Sequence, residues 1–221
     1  MARKQPKIVS EIYRDILNTI TALRTENLLR DESGVSIKPL SQNTWSISYS
    51  TKNDSGSIVY DKNISFACLA DNLLQNRQYT ILLYDKSIVQ VEFMIRDNEI
   101  IKERLVFMKK HNVIWNPDEI NELEANDEHW FDVETGIPIV FRIDYDPSPG
   151  VFKEIDHPKT HFTLSNHESC RIPIRGIVTF SEFMRFVLKH YYEKDIDVGQ
   201  YRLEEETITE NEKKWIHINW K

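Results

Sequence analysis

Apolar residues recur at helical spacing from the start of the chain. Ile8, Ile12, Ile16, Ile20 and Leu23 follow at steps of four and three, and Val9, Tyr13 and Leu17 widen the stripe. This pattern predicts a helix over about Lys7 to Arg30, ended by the glycine signal in Asp31-Glu32-Ser33-Gly34. The period then changes to two. Trp45, Ile47 and Tyr49 alternate with polar residues from Thr44 to Tyr49, and a second strand is expected from Ser57 to Tyr60 after the turn residues Lys52 to Gly56. A short helix fits Ala67 to Gln75. The best hairpin pairs Ser87–Arg96 with Ile100–Met108 around Asp97-Asn98-Glu99. Val89, Val91, Phe93 and Ile95 lie on one face of its first strand. Tyr79 to Tyr84 reads as a preceding strand, which makes the group a meander.

Alternation returns in Ile137, Ile139, Phe141 and Ile143, with Val140, Arg142 and Asp144 on the opposite face. Asp146-Pro147-Ser148-Pro149-Gly150 is a loop, and strands are expected at Thr160–Leu164 and Arg171–Ile174. Thr179 or Ser181 caps a second helix, whose apolar residues include Phe183, Phe186, Val187 and Tyr191. Trp215 to Trp220 alternates again and reads as a strand. Strands outnumber helices without a regular βαβ order. The expected fold is therefore α+β, an antiparallel or mixed sheet packed against the N-terminal helix and a second helix near residues 179–192. One domain over 1–221 is expected, with an acidic surface excursion at about 116–135, where Trp115, Trp130 and Phe131 require burial.

Charge narrows the classes of function. The chain of 221 residues has 28 Lys+Arg against 35 Asp+Glu, a net charge of −7. That balance disfavours a surface that grips phosphates everywhere, while a local basic groove stays compatible with it. Eight acids and no Lys or Arg fall between Asp118 and Glu134. They read either as a solvated face or as a docking site for a basic partner. No apolar run approaches the roughly 20 residues of a membrane span, and the first residues lack a secretory apolar stretch. A cytoplasmic protein without membrane contact is expected. Cys68, in Phe66-Ala67-Cys68-Leu69, reads as a small core residue, and no disulfide is expected with Cys170.

Chemistry-bearing residues crowd between Arg142 and Arg171, where three of the seven histidines fall within eleven positions. Four readings stand side by side. In the first, His157 and His161 act as an acid–base pair, Arg171 binds an anion and Asp144 orients an imidazole, an arrangement suited to RNA cleavage without a metal. His161-Phe162-Thr163 puts an imidazole and a hydroxyl on one strand face, but there is no second such triplet, as a two-histidine phosphoesterase would need. In the second, His161, His167 and an Asp gather zinc or manganese. Pro158 argues against a helical His157–His161 pair, and no metal is expected. In the third, Cys170 pairs with His161 or His167 as a nucleophile. In the fourth, Asp144 and Asp146 cap turns, Arg171 pairs with one of them, and the histidines order a loop. Asp146, His167 and Arg142 are candidate binding residues. The phosphate-cradling glycine loops are absent, so neither a cofactor nor nucleotide hydrolysis is expected.

The order Arg142-Ile143-Asp144-Tyr145-Asp146-Pro147, His157-Pro158, His161, Cys170-Arg171-Ile172-Pro173 and the helix Phe183–Tyr192 resembles an uncharacterised bacterial family, domain of unknown function 2290, over Gly136 to Tyr192. In that family a histidine often stands at the position of Thr163, so this chain has no essential histidine there. The resemblance implies a bacterial protein encoded among phage-defence genes. It also implies one site made by Asp144, His157, His161 and Arg171, and it transfers no catalytic role. The leading expectation is an accessory or recognition subunit of a defence assembly, contacting a larger effector from the same operon. The alternatives are a small metal-independent nuclease or phosphodiesterase, with nucleic acid as ligand, and an antitoxin-like inhibitor of a basic effector.

Overall fold

The computed structural model describes residues 5–41, 43–49, 65–110, 116–126, 138–165 and 170–215. In chain order the elements are α1 (Lys7–Thr25), β1 (Leu29–Glu32), β2 (Val35–Ser41), β3 (Thr44–Tyr49), α2 (Phe66–Gln75), β4 (Ile81–Leu83), β5 (Ile88–Arg96) and β6 (Glu99–Lys109). They continue with α3 (Pro117–Ala125), β7 (Ile139–Tyr145), β8 (Thr160–Leu164), β9 (Arg171–Pro173), α4 (Phe180–Tyr191) and α5 (Glu210–Trp215). The nine strands among the described residues join one sheet, and each of their pairings is antiparallel. The spatial order is β1-β4-β5-β6-β7-β8-β9. β3 lies beside the C-terminal half of β5, with β2 outside it. The fold is α+β, and its sheet is wholly antiparallel.

The two faces of the sheet differ. Val89, Val91, Phe93 and Ile95 of β5, Leu105 and Phe107 of β6, and Phe141 and Ile143 of β7 belong to one large core with α1 and α4. Phe141 sits at its aromatic centre, with ring centroids 5.4 Å from Phe107, 5.0 Å from Phe162 and 5.7 Å from Phe183. Such pairs add about 0.5–1.5 kcal/mol each beyond area burial and fix β7 and β8 from beneath. On the other face a smaller cluster joins Leu82, Ile88, Val106 and Met108 to Leu69, Ala70 and Leu73 of α2. Beyond this cluster, with Val140 packed against it, the face carries mainly polar residues, among them Gln90, Glu92, Arg104, Arg142 and Asp144. Within the large core, Lys109 is buried against Asp85 and stands 4.5 Å over the ring of Tyr192, whose hydroxyl donates to the same carboxylate.

Four expectations are corrected. The first helix stops at Thr25, not Arg30. Asn27 adopts the left-handed region at φ 54°, Leu28 N–H donates to Leu23 O at 2.9 Å, and Asn27 N–H donates to Arg24 O at 3.1 Å. This Schellman arrangement satisfies the last carbonyls and releases residues 29–32 to pair with β4. Leu17 of the predicted stripe is exposed, whereas Asp15 and Thr19 are buried. The Asp15 carboxylate accepts the N–H of Ser181 at the start of α4, and the Thr19 hydroxyl donates to Val198 O. Cys68 is exposed, because α2 turns the next residues, Leu69 and Ala70, toward the sheet. Trp215 ends a helix rather than opening a strand. A reciprocal cap between Thr209 and Glu212 starts α5, and residues 216–220 lie outside the described residues.

The helix near 179–192 begins at the Thr179 cap, whose hydroxyl accepts Glu182 N–H while Glu182 reaches back to Thr179 N–H. β2 was not anticipated. Of the acidic excursion, α3 docks through buried Ile120, and Glu124 pairs with Arg30 at 2.9 Å. Trp115, Trp130, Phe131 and the strand expected at Ser57–Tyr60 lie outside the described residues. No helix among the described residues is long and apolar enough to cross a membrane.

Candidate functional site

Strand register assembles the site. Side chains alternate across a strand, so residues paired in register share one face of the sheet. Arg104 of β6 lies opposite Asp144 of β7, which lies opposite His161 of β8. One step along, Val106, Arg142, Thr163 and Arg171 form the adjacent row. Both rows lie on the polar face, away from α1 and α4. Arg104, Asp144, Arg142, His161, Thr163 and Arg171 therefore form a continuous patch.

Asp144 is its centre. Arg104 Nε donates to Oδ1 at 2.8 Å and Arg142 Nε donates to Oδ2 at 2.6 Å. Burial works to raise this carboxyl, but the two guanidiniums outweigh it and hold Asp144 below the usual carboxylate range. His161 Nε2 lies 3.9 Å from Oδ2. The other ring nitrogen, Nδ1, lies 2.9 Å from the carbonyl of Pro158. A carbonyl only accepts, so Nδ1 carries the proton and Nε2 of the neutral ring carries the lone pair. Burial pulls the His161 pKa down to about 4, with His157 and Arg171 adding to the effect against the pull of Pro158 and Asp144. His157 meets His161 edge to face, with ring centroids 4.8 Å apart. Burial and then Arg171 lower its pKa as well. Both imidazoles are neutral at pH 7. The side-chain charge of the cluster is then +3 from Arg104, Arg142 and Arg171 and −1 from Asp144, a local excess of +2 on an acidic chain.

Among the described residues, the buried side-chain polar atoms without a hydrogen-bond partner include His157 Nδ1, Thr163 Oγ1 and Arg171 Nε, all within this patch. An unmatched buried polar atom costs about 1–3 kcal/mol, and such atoms mark places where water or a ligand completes the bonding. Thr163 and Arg171 are cross-strand partners and Arg171 acts on both histidines, so the three atoms serve one locality. A hydroxyl, a guanidinium N–H and an imidazole together suit an oxyanion.

The residues expected to form a site fall as follows. Asp144, His157, His161 and Arg171 come together, and Arg142 joins them as a direct partner of Asp144. Asp146 lies on the adjoining turn, where its carboxylate accepts Ser148 N–H at 2.9 Å and its charge acts on His157. His167 lies outside the described residues. Arg171 makes no ion pair with Asp146, nor with Asp144, both of whose oxygens are taken by Arg104 and Arg142. Cys170 is partly buried and is not disulfide-bonded. Among the described residues no three His, Cys, Asp or Glu side chains are placed to hold a metal ion.

Sequence reasoning missed Arg104. Arg104 shares a strand face with Val106 and Met108, but only the β6–β7 register brings it to Asp144. It also missed Glu212, which reaches the turn carrying His157 from α5.

Fold and site together describe an α+β protein built on one antiparallel sheet, with an arginine–histidine cluster on the face opposite the two main helices. The chain belongs to the family of uncharacterised conserved proteins designated DUF2290, whose family profile matches residues 28–220. The match reaches well beyond Gly136–Tyr192 and takes in most of the sheet. No curated protein and no solved structure matches the chain.

Proposed function

We propose that this protein recognises a phosphate-bearing ligand through the polar face of its sheet, and that it works as a recognition subunit rather than as a self-sufficient enzyme. The observation that carries the reading is the convergence of three unpartnered buried polar atoms, on His157, Thr163 and Arg171, beside an aspartate already neutralised by two arginines. The Thr163 hydroxyl and the Arg171 guanidinium present donors and positive charge, the complement of an oxyanion. Its acid–base capacity is small: Asp144 is committed to Arg104 and Arg142, and His161 is buried. The wider setting proposed is cytoplasmic, in a bacterial anti-phage assembly beside a larger effector from the same operon. Leu164, Ile172 and Phe186 expose apolar surface next to the edge strand β9 and suit a protein contact there.

Metal-independent cleavage of RNA is the second reading. The unprotonated Nε2 of His161 favours it, since that atom is in base form at neutral pH. The edge contact of the two rings at 4.8 Å weighs against it, because a phosphate flanked by an acid and a base needs room between them. Inhibition of a basic effector has less support, because Glu119 closes the cap of α3 and Glu124 pairs with Arg30.

Imidazole-detected NMR on the whole chain, titrated with inorganic phosphate and with a single-stranded RNA oligonucleotide, tests the proposal. Binding that shifts His157 and His161 and is lost in Arg171→Ala supports it. Unmoved imidazoles at millimolar phosphate and with RNA overturn it. RNA shortened by wild type and intact with His161→Ala replaces it with the nuclease reading.

A further inference from the structure

His157 does not sit on a sheet strand. It closes a tight turn in which Lys153 N–H donates to His157 O at 3.0 Å and His157 N–H donates to Lys153 O at 2.7 Å. Within the turn Ile155 is held at φ 72°, a conformation that a β-branched residue avoids. Its own side chain is 41% exposed, so apolar burial does not hold it there. A carboxylate does. Glu212 of α5 is fully buried, and its Oε1 accepts the N–H of Ile155 at 3.3 Å. The other oxygen, Oε2, accepts Thr209 N–H at 2.8 Å, which fixes the carboxylate to its own helix. Beside it, Asn211 Nδ2 donates to Glu154 Oε2 at 3.0 Å. Further back, the hydroxyls of Thr207 and Thr160 lie 2.5 Å apart, joining the same C-terminal segment to β8 at the residue before His161. Residues 207–212 thus grip the chain on both sides of His157, at 154–155 and at Thr160.

We propose that Glu212 is a positioning residue of this site, holding the 153–157 turn so that His157 lies against His161 and faces the ligand. The inference rests on the reading of the cluster as a phosphate site. It predicts that the C-terminal segment controls the ligand affinity of residues some 55 positions earlier in the chain, from Asp156 to His161.

The test uses the whole chain, with imidazole NMR spectra recorded first without ligand and then with inorganic phosphate. In Glu212→Ala the His157 resonances move and phosphate affinity falls about tenfold, the scale of one displaced hydrogen bond. His190, exposed on α4, serves as the internal reference and stays in place. His157 resonances and affinity both at wild-type values in Glu212→Ala overturn the inference. A second measurement needs no variant to fold. In wild type the Ile155 amide exchanges slowly with solvent, because its N–H is bound to a buried carboxylate, and exchange at the rate of an exposed turn overturns the inference. If the His157 resonances move in Glu212→Ala but wild type binds no phosphate, positioning by Glu212 is supported and the phosphate reading alone fails.

Discussion

Asp144→Asn removes the charge at the centre of the site and leaves its shape. The carboxylate is 7% exposed and receives Nε bonds from two arginines, one of them, Arg142, only 6% exposed. Removing one partner of a buried ion pair costs about 3–5 kcal/mol, because the remaining charge stays in a poorly solvated place. Neither arginine depends on Asp144 alone, and the Arg104 side chain is 21% exposed, so the lower end, about 3 kcal/mol, applies. With a urea m-value of about 2–3 kcal/mol/M, the unfolding midpoint falls by about 1–1.5 M. Adding Arg142→Met recovers part of the loss, since it removes one of the two guanidiniums. The pH dependence has a definite sign. The Asp144 pKa is lower in the folded chain, so its contribution is complete above the unfolded value of about 3.9 and is lost as pH falls through the folded value. That acid loss disappears in the variant. Urea unfolding monitored by tryptophan fluorescence measures both effects. A midpoint within about 0.2 M of wild type, or an unchanged acid limb, refutes the view of Asp144 as the electrostatic keystone of the patch.

Two further outcomes follow from buried titratable groups. Glu103 is fully buried, accepts only the Val178 N–H among its resolved bonds, and is raised well above the usual range by burial. The folded chain therefore holds an extra proton above the unfolded pKa of about 4.3, and stability declines by up to about 1.4 kcal/mol per pH unit as pH rises toward the folded value. Glu103→Gln flattens that decline in urea unfolding between pH 4.5 and 7.5, and a decline that persists unchanged places its source elsewhere. His161 has the opposite sign: its pKa is pulled down to about 4, so stability is lost as pH falls from the unfolded value of about 6.5 toward 4. Its imidazole titrates by NMR with a midpoint near 4, and a midpoint above 6.5 contradicts a buried, neutral ring.

The sequence by itself determined the elements whose periodicity is local. β5 and β6 were legible because alternating Val89, Val91, Phe93 and Ile95 and the apolar-rich stretch Ile100–Met108 flank Asp97-Asn98, both in the left-handed region that a tight turn requires. The start of α4 was legible to within Thr179 or Ser181, and the reciprocal bonds between Thr179 and Glu182 place the cap at Thr179. Half of the site was legible for the same reason. Arg142 and Asp144 share a face by the period of a strand, as do His161 and Thr163, and His157 and Arg171 lie within a short stretch of them.

Tertiary structure decided the rest. Apolar residues run on past Thr25 through Leu28 and Leu29, so periodicity alone extends α1. The left-handed turn at Asn27 and the pairing of β1 with β4 end it, and that pairing spans about fifty residues of sequence. Trp215 alternates with the aromatic and apolar residues after it, yet the Thr209–Glu212 cap makes it helical. Arg104 lies forty residues before Asp144, and a shift of one residue in the β6–β7 register would have sent it to the opposite face. Glu212 reaches the His157 turn only because the chain returns across the sheet edge at Gly176–Glu206. Side-chain alternation is a property of one strand and can be read in one dimension. Which strand lies beside it, and in what register, depends on burying both faces of the whole sheet at once.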